Sequence, residues 1–232
     1  MTLIATLFPL FCWFAYNYSV PLIERRRPSL SVIMSMQRRR WVANATRRES
    51  PLDAILAGNL MGAVSFLAST SALLVLAVFA AFGQVPALME ALKTVEIGGN
   101  YAVPDIQIHL VAMLAIFVLS FFAFTLALRQ FNHFCIMLGA IDHTGHVTES
   151  EIEAIAQLNS LAAKNFNNGI RAYYFSVSMV AWFVNEWFSI GAALLTVGFL
   201  IHREFFSSAH RIAASAAVIA SRREQDEAPG GT

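Results

Sequence analysis

The chain has 232 residues, a length that would suit one compact domain, but 57% of them are hydrophobic and only 13% charged. That balance excludes an ordinary soluble domain. With 16 Lys and Arg against 15 Asp and Glu the formal net charge is +1, yet the basic residues are gathered in a few short connecting segments. The apolar residues form unbroken runs long enough to cross a hydrocarbon core, which takes about 20 residues as a helix. Inside lipid each backbone N–H and C=O must be paired within its own segment, so such runs are helices. The expected fold class is all-α, a polytopic helical membrane protein whose arginine-rich connections lie on the cytoplasmic side.

Residues 3–23 form the first run, with no basic residue before it and Arg25, Arg26 and Arg27 directly after it. A secretory signal peptide has the opposite charge layout, so this reads as a retained span with its N-terminus outside. Cys12 and Cys135 are the only cysteines and suggest neither a disulfide framework nor a thiolate metal site. Residues 24–54 interleave Leu30, Ile33, Met34, Met36, Trp41 and Val42 with arginines, behind a Pro28-Ser29 helix start. The expectation is an interfacial helix whose Trp and aliphatic side chains enter the headgroup boundary. Arg38, Arg39, Arg40, Trp41, Arg47 and Arg48 are then candidate contacts to anionic lipid or to a partner, at about 1 kcal/mol per basic residue. A position beside the membrane argues against nucleic acid as the partner.

The second run, residues 55–82, carries Gly58, Gly62, Ser65 and Ser69 at spacings of four, three and four, which puts them on one face. Small residues so placed let another helix approach closely, and they form the expected helix-packing face. Residues 83–109 read as an outside loop, with a short surface helix over 85–95 and a turn at 98–100. The third run, 110–128, returns to the cytoplasm and ends at Arg129. A loop at 142–145 precedes a helix over 149–168, capped by Thr148 with Glu151 or by Ser150 with Glu153.

Residues 170–201 are too long for one upright span and short for two. A single span would carry His202, Arg203, Arg211, Arg222 and Arg223 outside, whereas a hairpin near Asn185 returns them to the cytoplasm. The reading is therefore one transmembrane domain over 1–223 with five spans, at about 3–23, 55–82, 110–128, 170–184 and 187–203, and four spans as the alternative. The N-terminus is expected outside, the C-terminus inside, and residues 224–232 as a disordered tail. A bacterial inner membrane is the expected location.

Leu128-Arg129-Gln130-Phe131-Asn132, followed by Asn165-Phe166-Asn167-Asn168-Gly169-Ile170-Arg171-Ala172-Tyr173-Tyr174-Phe175, resembles a family of bacterial and plant membrane proteins catalogued as domain of unknown function 599. The resemblance extends to Arg38-Arg39-Arg40-Trp41, Arg47-Arg48-Glu49, Gly58-Asn59-Leu60 and Arg203-Glu204-Phe205. It departs at Asn165, where the family leads one to expect histidine, and at Asn185-Glu186, where a proline-containing turn is more usual. The resemblance implies an architecture and no activity.

Polar residues near span ends are the candidates for chemistry. Arg129 with Asn132 and His133, and Arg171 with Asn167 and Asn168, each share a helix face. Two guanidinium groups flanked by amides suit phosphate or carboxylate, and equally suit anchoring helix ends at the lipid boundary. Haem between histidines such as His133 and His202 is a lesser reading, and no cofactor or metal is expected. No phosphate-binding glycine loop, nucleophile elbow or zinc-binding histidine-glutamate helix is present. The leading expectation is a non-catalytic accessory or scaffolding subunit that packs against lipids and against other membrane proteins or itself. A carrier or channel for a small solute or lipid is the alternative, and a haem-binding redox protein the third.

Overall fold

The computed structural model describes residues 1–48, 51–94, 101–143 and 145–227. Among them are eight helices and no strand: α1 (Thr2–Glu24), α2 (Leu30–Ala45), α3 (Pro51–Phe82), α4 (Val85–Thr94), α5 (Val103–Gly139), α6 (Glu149–Trp182), α7 (Glu186–Phe205) and α8 (Ser208–Glu227). Local sequence explains several boundaries. Ser29 caps α2 by accepting from the Val32 N–H at 3.2 Å, and Thr148 with Glu151 forms a reciprocal capping box at the start of α6. At the start of α7, the Asn185 side chain accepts from the Trp187 N–H at 2.9 Å.

Five helices form the bundle. Tyr101 Oη bonds the Trp182 carbonyl at 2.9 Å, Ser120 Oγ the Gly169 carbonyl at 3.2 Å, and Asn165 Nδ2 the Gln130 amide oxygen at 2.8 Å. That series of pairs makes α5 and α6 antiparallel. Ser178 with Thr196 at 3.4 Å and Tyr174 with Arg203 at 3.1 Å lay α7 antiparallel to α6. Trp13 Nε1 reaches the Asn168 carbonyl at 3.4 Å, and Arg171 reaches Asn17 at 2.9 Å, which ties α1 to α6. Tyr173 Oη, 2.7 Å from Ser71 Oγ, links α6 to α3. Helix α6 is therefore the central one.

Four stretches are long and apolar enough to cross a membrane: α1, α3, α5 and Glu186–Arg222, which takes in α7 and most of α8. Large apolar side chains such as Phe11, Phe66, Phe79 and Leu195 point outward from them, as a lipid-facing surface requires. The second half of α6 carries Asn165, Asn167, Asn168 and Arg171 and is too polar to be counted by composition. Its neighbours α1, α2 and α5 supply partners for Arg171, Asn167 and Asn165, and the chain reverses between Trp182 and Glu186 into α7. The hairpin expected near Asn185 is thus formed.

Some expectations change. Residues 149–168 and 170–184 are one continuous helix, α6, and α8 reaches Glu227, into the segment expected as a tail; residues 228–232 and the turn expected at 98–100 lie outside the described residues. Helix α5, with 37 residues, is about 55 Å long at 1.5 Å per residue. It and α6 outrun a hydrocarbon core of about 30 Å. They project at the arginine-rich end, where α2 packs on α6 and α8 on α2. Trp41, expected in the headgroup boundary, turns inward instead. Its Nε1 donates to Asp53 Oδ1 at 2.6 Å, and its ring meets Phe134 edge-on at 5.4 Å.

The buried residues of α3 are Asp53, Ala57, Val64, Ala68, Ser71 and Val78, a stripe at spacings of three, four and seven turned to the bundle, where α5 is the main neighbour. The stripe expected to pack, Gly58, Gly62, Ser65 and Ser69, is exposed, and a Cβ added at either glycine would meet nothing within 4 Å. The close approach occurs at Gly169, where an added Cβ would fall 2.6 Å from the Phe124 ring.

Candidate functional site at the arginine-rich end

At the C-terminal end of α1, the helices α1, α2 and α6 come together around one pocket. The three helices enclose a cavity of about 310 Å³. Asn17, Val20, Pro21 and Glu24 line it from α1; Ser31, Val32, Ser35 and Arg38 from α2; Ser160, Ala163, Lys164, Asn167, Asn168 and Arg171 from α6. On α6 these residues recur at three- and four-residue spacing, so the side of the helix that faces α1 and α2 is polar except at Ala163. Glu24 is held by the Ser29 hydroxyl, and Asn167 Nδ2 donates to Ser31 Oγ at 3.2 Å.

Two guanidinium groups behave differently here. Arg171 is fixed, with one nitrogen 2.9 Å from Asn17 Oδ1 and its charged carbon 5.1 Å from the centre of the Tyr16 ring, within cation–π range. Arg38 makes no hydrogen bond or ion pair with a described residue, and its burial pulls its pKa below the ordinary arginine value. Beside the cavity, Glu204 is buried and accepts from the Ser31 N–H at 3.2 Å, so its charge is directed to the backbone of α2.

The remaining candidates are dispersed. Arg39 pairs with Glu149 and, at 3.0 Å, with Glu153. Arg48 pairs with Asp53 at 2.9 Å, and the hydrogen bond to that carboxylate raises the Arg48 pKa. Arg40 is half-buried and Arg47 exposed. Arg129 and Asn132 are exposed and line a separate groove of about 580 Å³ with Gly62, Ser65 and Thr125; His133 is exposed as well. The two halves of the expected constellation therefore do not meet. Arg171 turns to α1, whereas Arg129 turns to α3; the residue α5 offers to α6 at this level is Gln130, which accepts from Asn165.

Sequence reasoning overlooked Asn17, Glu24, Ser31, Ser35 and Lys164. Asn17 had a usable signal, since an amide within an otherwise apolar span needs a partner. The Phe-Asn-Asn-Gly run is explained residue by residue: Phe166 packs on Phe124 at 5.8 Å, Asn167 holds α2, the Asn168 carbonyl holds Trp13, and Gly169 admits Phe124.

At the far end of the bundle, His109 is fully buried, 3.2 Å from Thr6 Oγ1 and 2.9 Å from the Met179 carbonyl oxygen. Its ring stacks on Trp182 at 4.1 Å, and Tyr101 stacks on the same indole at 4.2 Å. Both ring nitrogens are engaged. His133 and His202, the pair considered for haem, are exposed on α5 and α7.

Antiparallel helices of membrane-crossing length, with apolar outer faces and their polar groups turned to one another, define a polytopic helical membrane protein. The chain belongs to the family described as "Protein of unknown function, DUF599", whose pattern matches residues 4–209. No curated protein and no solved structure matches it.

Proposed function

We propose that the protein is a non-catalytic accessory subunit of a bacterial inner membrane that packs through α3 against a helix of another membrane protein. In this reading the N-terminus lies outside and the arginine-rich end in the cytoplasm. The observation that carries it is the state of α3, which among the described residues packs chiefly on α5 and touches the short α4, and which leaves most of its apolar surface uncovered. Its Gly58, Gly62, Ser65 and Ser69 stripe is open, and open small-residue stripes are how membrane helices let a neighbouring backbone approach. A carrier whose mouth is lined by Arg129 and Arg171 together has no support in the geometry, because the two face different helices.

A photo-cross-linking amino acid at Ser65 tests the reading in native membranes. The expected result is one discrete protein adduct, absent when Gly62→Leu fills the stripe. Adducts to lipid alone, or an adduct that survives Gly62→Leu, would overturn it.

A further inference from the structure

We infer that the cavity between α1, α2 and α6 is a binding site for a phosphate-bearing anion, gripped by Arg38, Lys164 and Arg171. This inference is independent of the α3 reading, since it concerns other helices and another kind of ligand.

Charge is the first reason. Three cationic side chains and one carboxylate, Glu24, line about 310 Å³, and positive charge is in excess even with the buried Glu204 beside it. Cations that outnumber the carboxylates around them repel one another, and a bound anion offsets that repulsion. Arg38 lines the cavity and forms no hydrogen bond or ion pair with a described residue, and its burial depresses its pKa.

Geometry is the second. Asn17 and the Tyr16 ring hold the Arg171 guanidinium in place, so little rotamer entropy remains to be lost when its free N–H groups meet an oxyanion. Arg38 faces the same space from α2, and the exposed Lys164 does so from about two helical turns before Arg171 on α6. The Ser160 hydroxyl and the Asn168 amide line the cavity and bond no described side chain, which leaves neutral donors for further phosphate oxygens. The volume is at the low end of the range for ligand pockets, about 300–1,000 Å³, and suits a phosphate with a small substituent better than a nucleotide.

Position narrows the source to two. Glu24, on the wall, is the last residue of α1, so the cavity lies at the membrane boundary, within reach of both lipid headgroups and water. A phosphatidylglycerol headgroup and a free phosphate present the same oxygens to the three cations.

The test uses the full chain in phosphatidylcholine nanodiscs, with phosphatidylglycerol added to the lipid or inorganic phosphate to the buffer, read by thermal shift and by native mass spectrometry. Arg38→Gln with Lys164→Gln removes two cations that hold no other part of the fold, and should weaken binding about tenfold or more. Arg47→Gln, an exposed arginine outside the cavity, should leave binding unchanged. Should the double variant not assemble, the two single variants are read separately, and each should weaken binding. Binding of phosphatidylglycerol that phosphate does not displace identifies the lipid source, and binding of phosphate in pure phosphatidylcholine the soluble one. The inference is overturned if the wild-type chain binds neither probe, if the variants bind as tightly as wild type, or if Arg47→Gln weakens binding equally.

Discussion

His109 Nε2 lies 2.9 Å from the carbonyl oxygen of Met179. A carbonyl can only accept, so Nε2 carries the proton and Nδ1 accepts from the Thr6 hydroxyl at 3.2 Å. Met179 is in the last turn of α6, where four carbonyls lack helical partners. All four are satisfied: Met179 by His109, Val180 by the Phe183 N–H, Ala181 by those of Val184 and Asn185, and Trp182 by Tyr101. Replacing His109 by Phe keeps an aromatic ring on Trp182 but orphans a buried carbonyl, at about 1–3 kcal/mol. A lowered melting temperature in detergent is expected, with no change for the exposed His202→Phe. Equal melting of both variants would refute the capping role.

The glycines of α3 and α6 should respond in opposite ways to the same substitution. At Gly169→Ala the new methyl group falls 2.6 Å from the ring of Phe124, which is itself fully buried. Overpacking of this kind costs about 1–3 kcal/mol. At Gly62→Ala nothing lies within 4 Å, and helix propensity favours alanine over glycine by up to about 1 kcal/mol. Melting of the two variants in detergent, where no partner is present, should show Gly169→Ala destabilised and Gly62→Ala unchanged or stabilised.

Glu151 makes the N-terminus of α6 sensitive to acid. The Thr148 backbone N–H donates to its carboxylate at 2.7 Å and the Thr148 hydroxyl at 2.8 Å, and these bonds hold its pKa below the usual carboxylate range. A depressed carboxylate contributes stability above its unfolded pKa, and that contribution is lost as pH falls through the folded one. Amide hydrogen exchange in the first turn of α6 should therefore accelerate as pH falls through that window, after correction for intrinsic rates. Glu151→Gln should remove the pH dependence and show the faster exchange of the protonated form already at neutral pH.

Reporter fusions examine the membrane orientation directly. A periplasm-dependent enzyme fused at Asn185, between α6 and α7, is expected to be active, and one fused at His143, between α5 and α6, inactive. Activity at both sites, or at neither, would place both ends of α6 on one side of the membrane, and activity at His143 alone would invert the orientation.

What could be read without coordinates was whatever depends on composition along a single segment. Apolar runs dictate helices because lipid leaves backbone groups no other partners, and Ser29, Thr148 and Asn185 mark helix starts because their side chains act on amides two or three residues away. The hairpin at Asn185 followed from charge bias, although α6 itself is too polar to be counted as a span.

Which face of a helix meets which neighbour depends on residues far apart in the chain. Gly58 and Gly62 look like packing glycines at helical spacing, yet it is Ala57, Val64 and Ala68 that turn to the bundle, since the rotation of α3 is decided by the whole interface. Arg129 and Arg171 sit at the same end of the bundle and still face apart. The arginine bias of the connections was determined by the sequence alone; only the tertiary structure selected Arg38 and Arg171 from that basic set and joined them to Lys164. It did so because α2 packs on α6 beside the end of α1, and no local pattern records that packing.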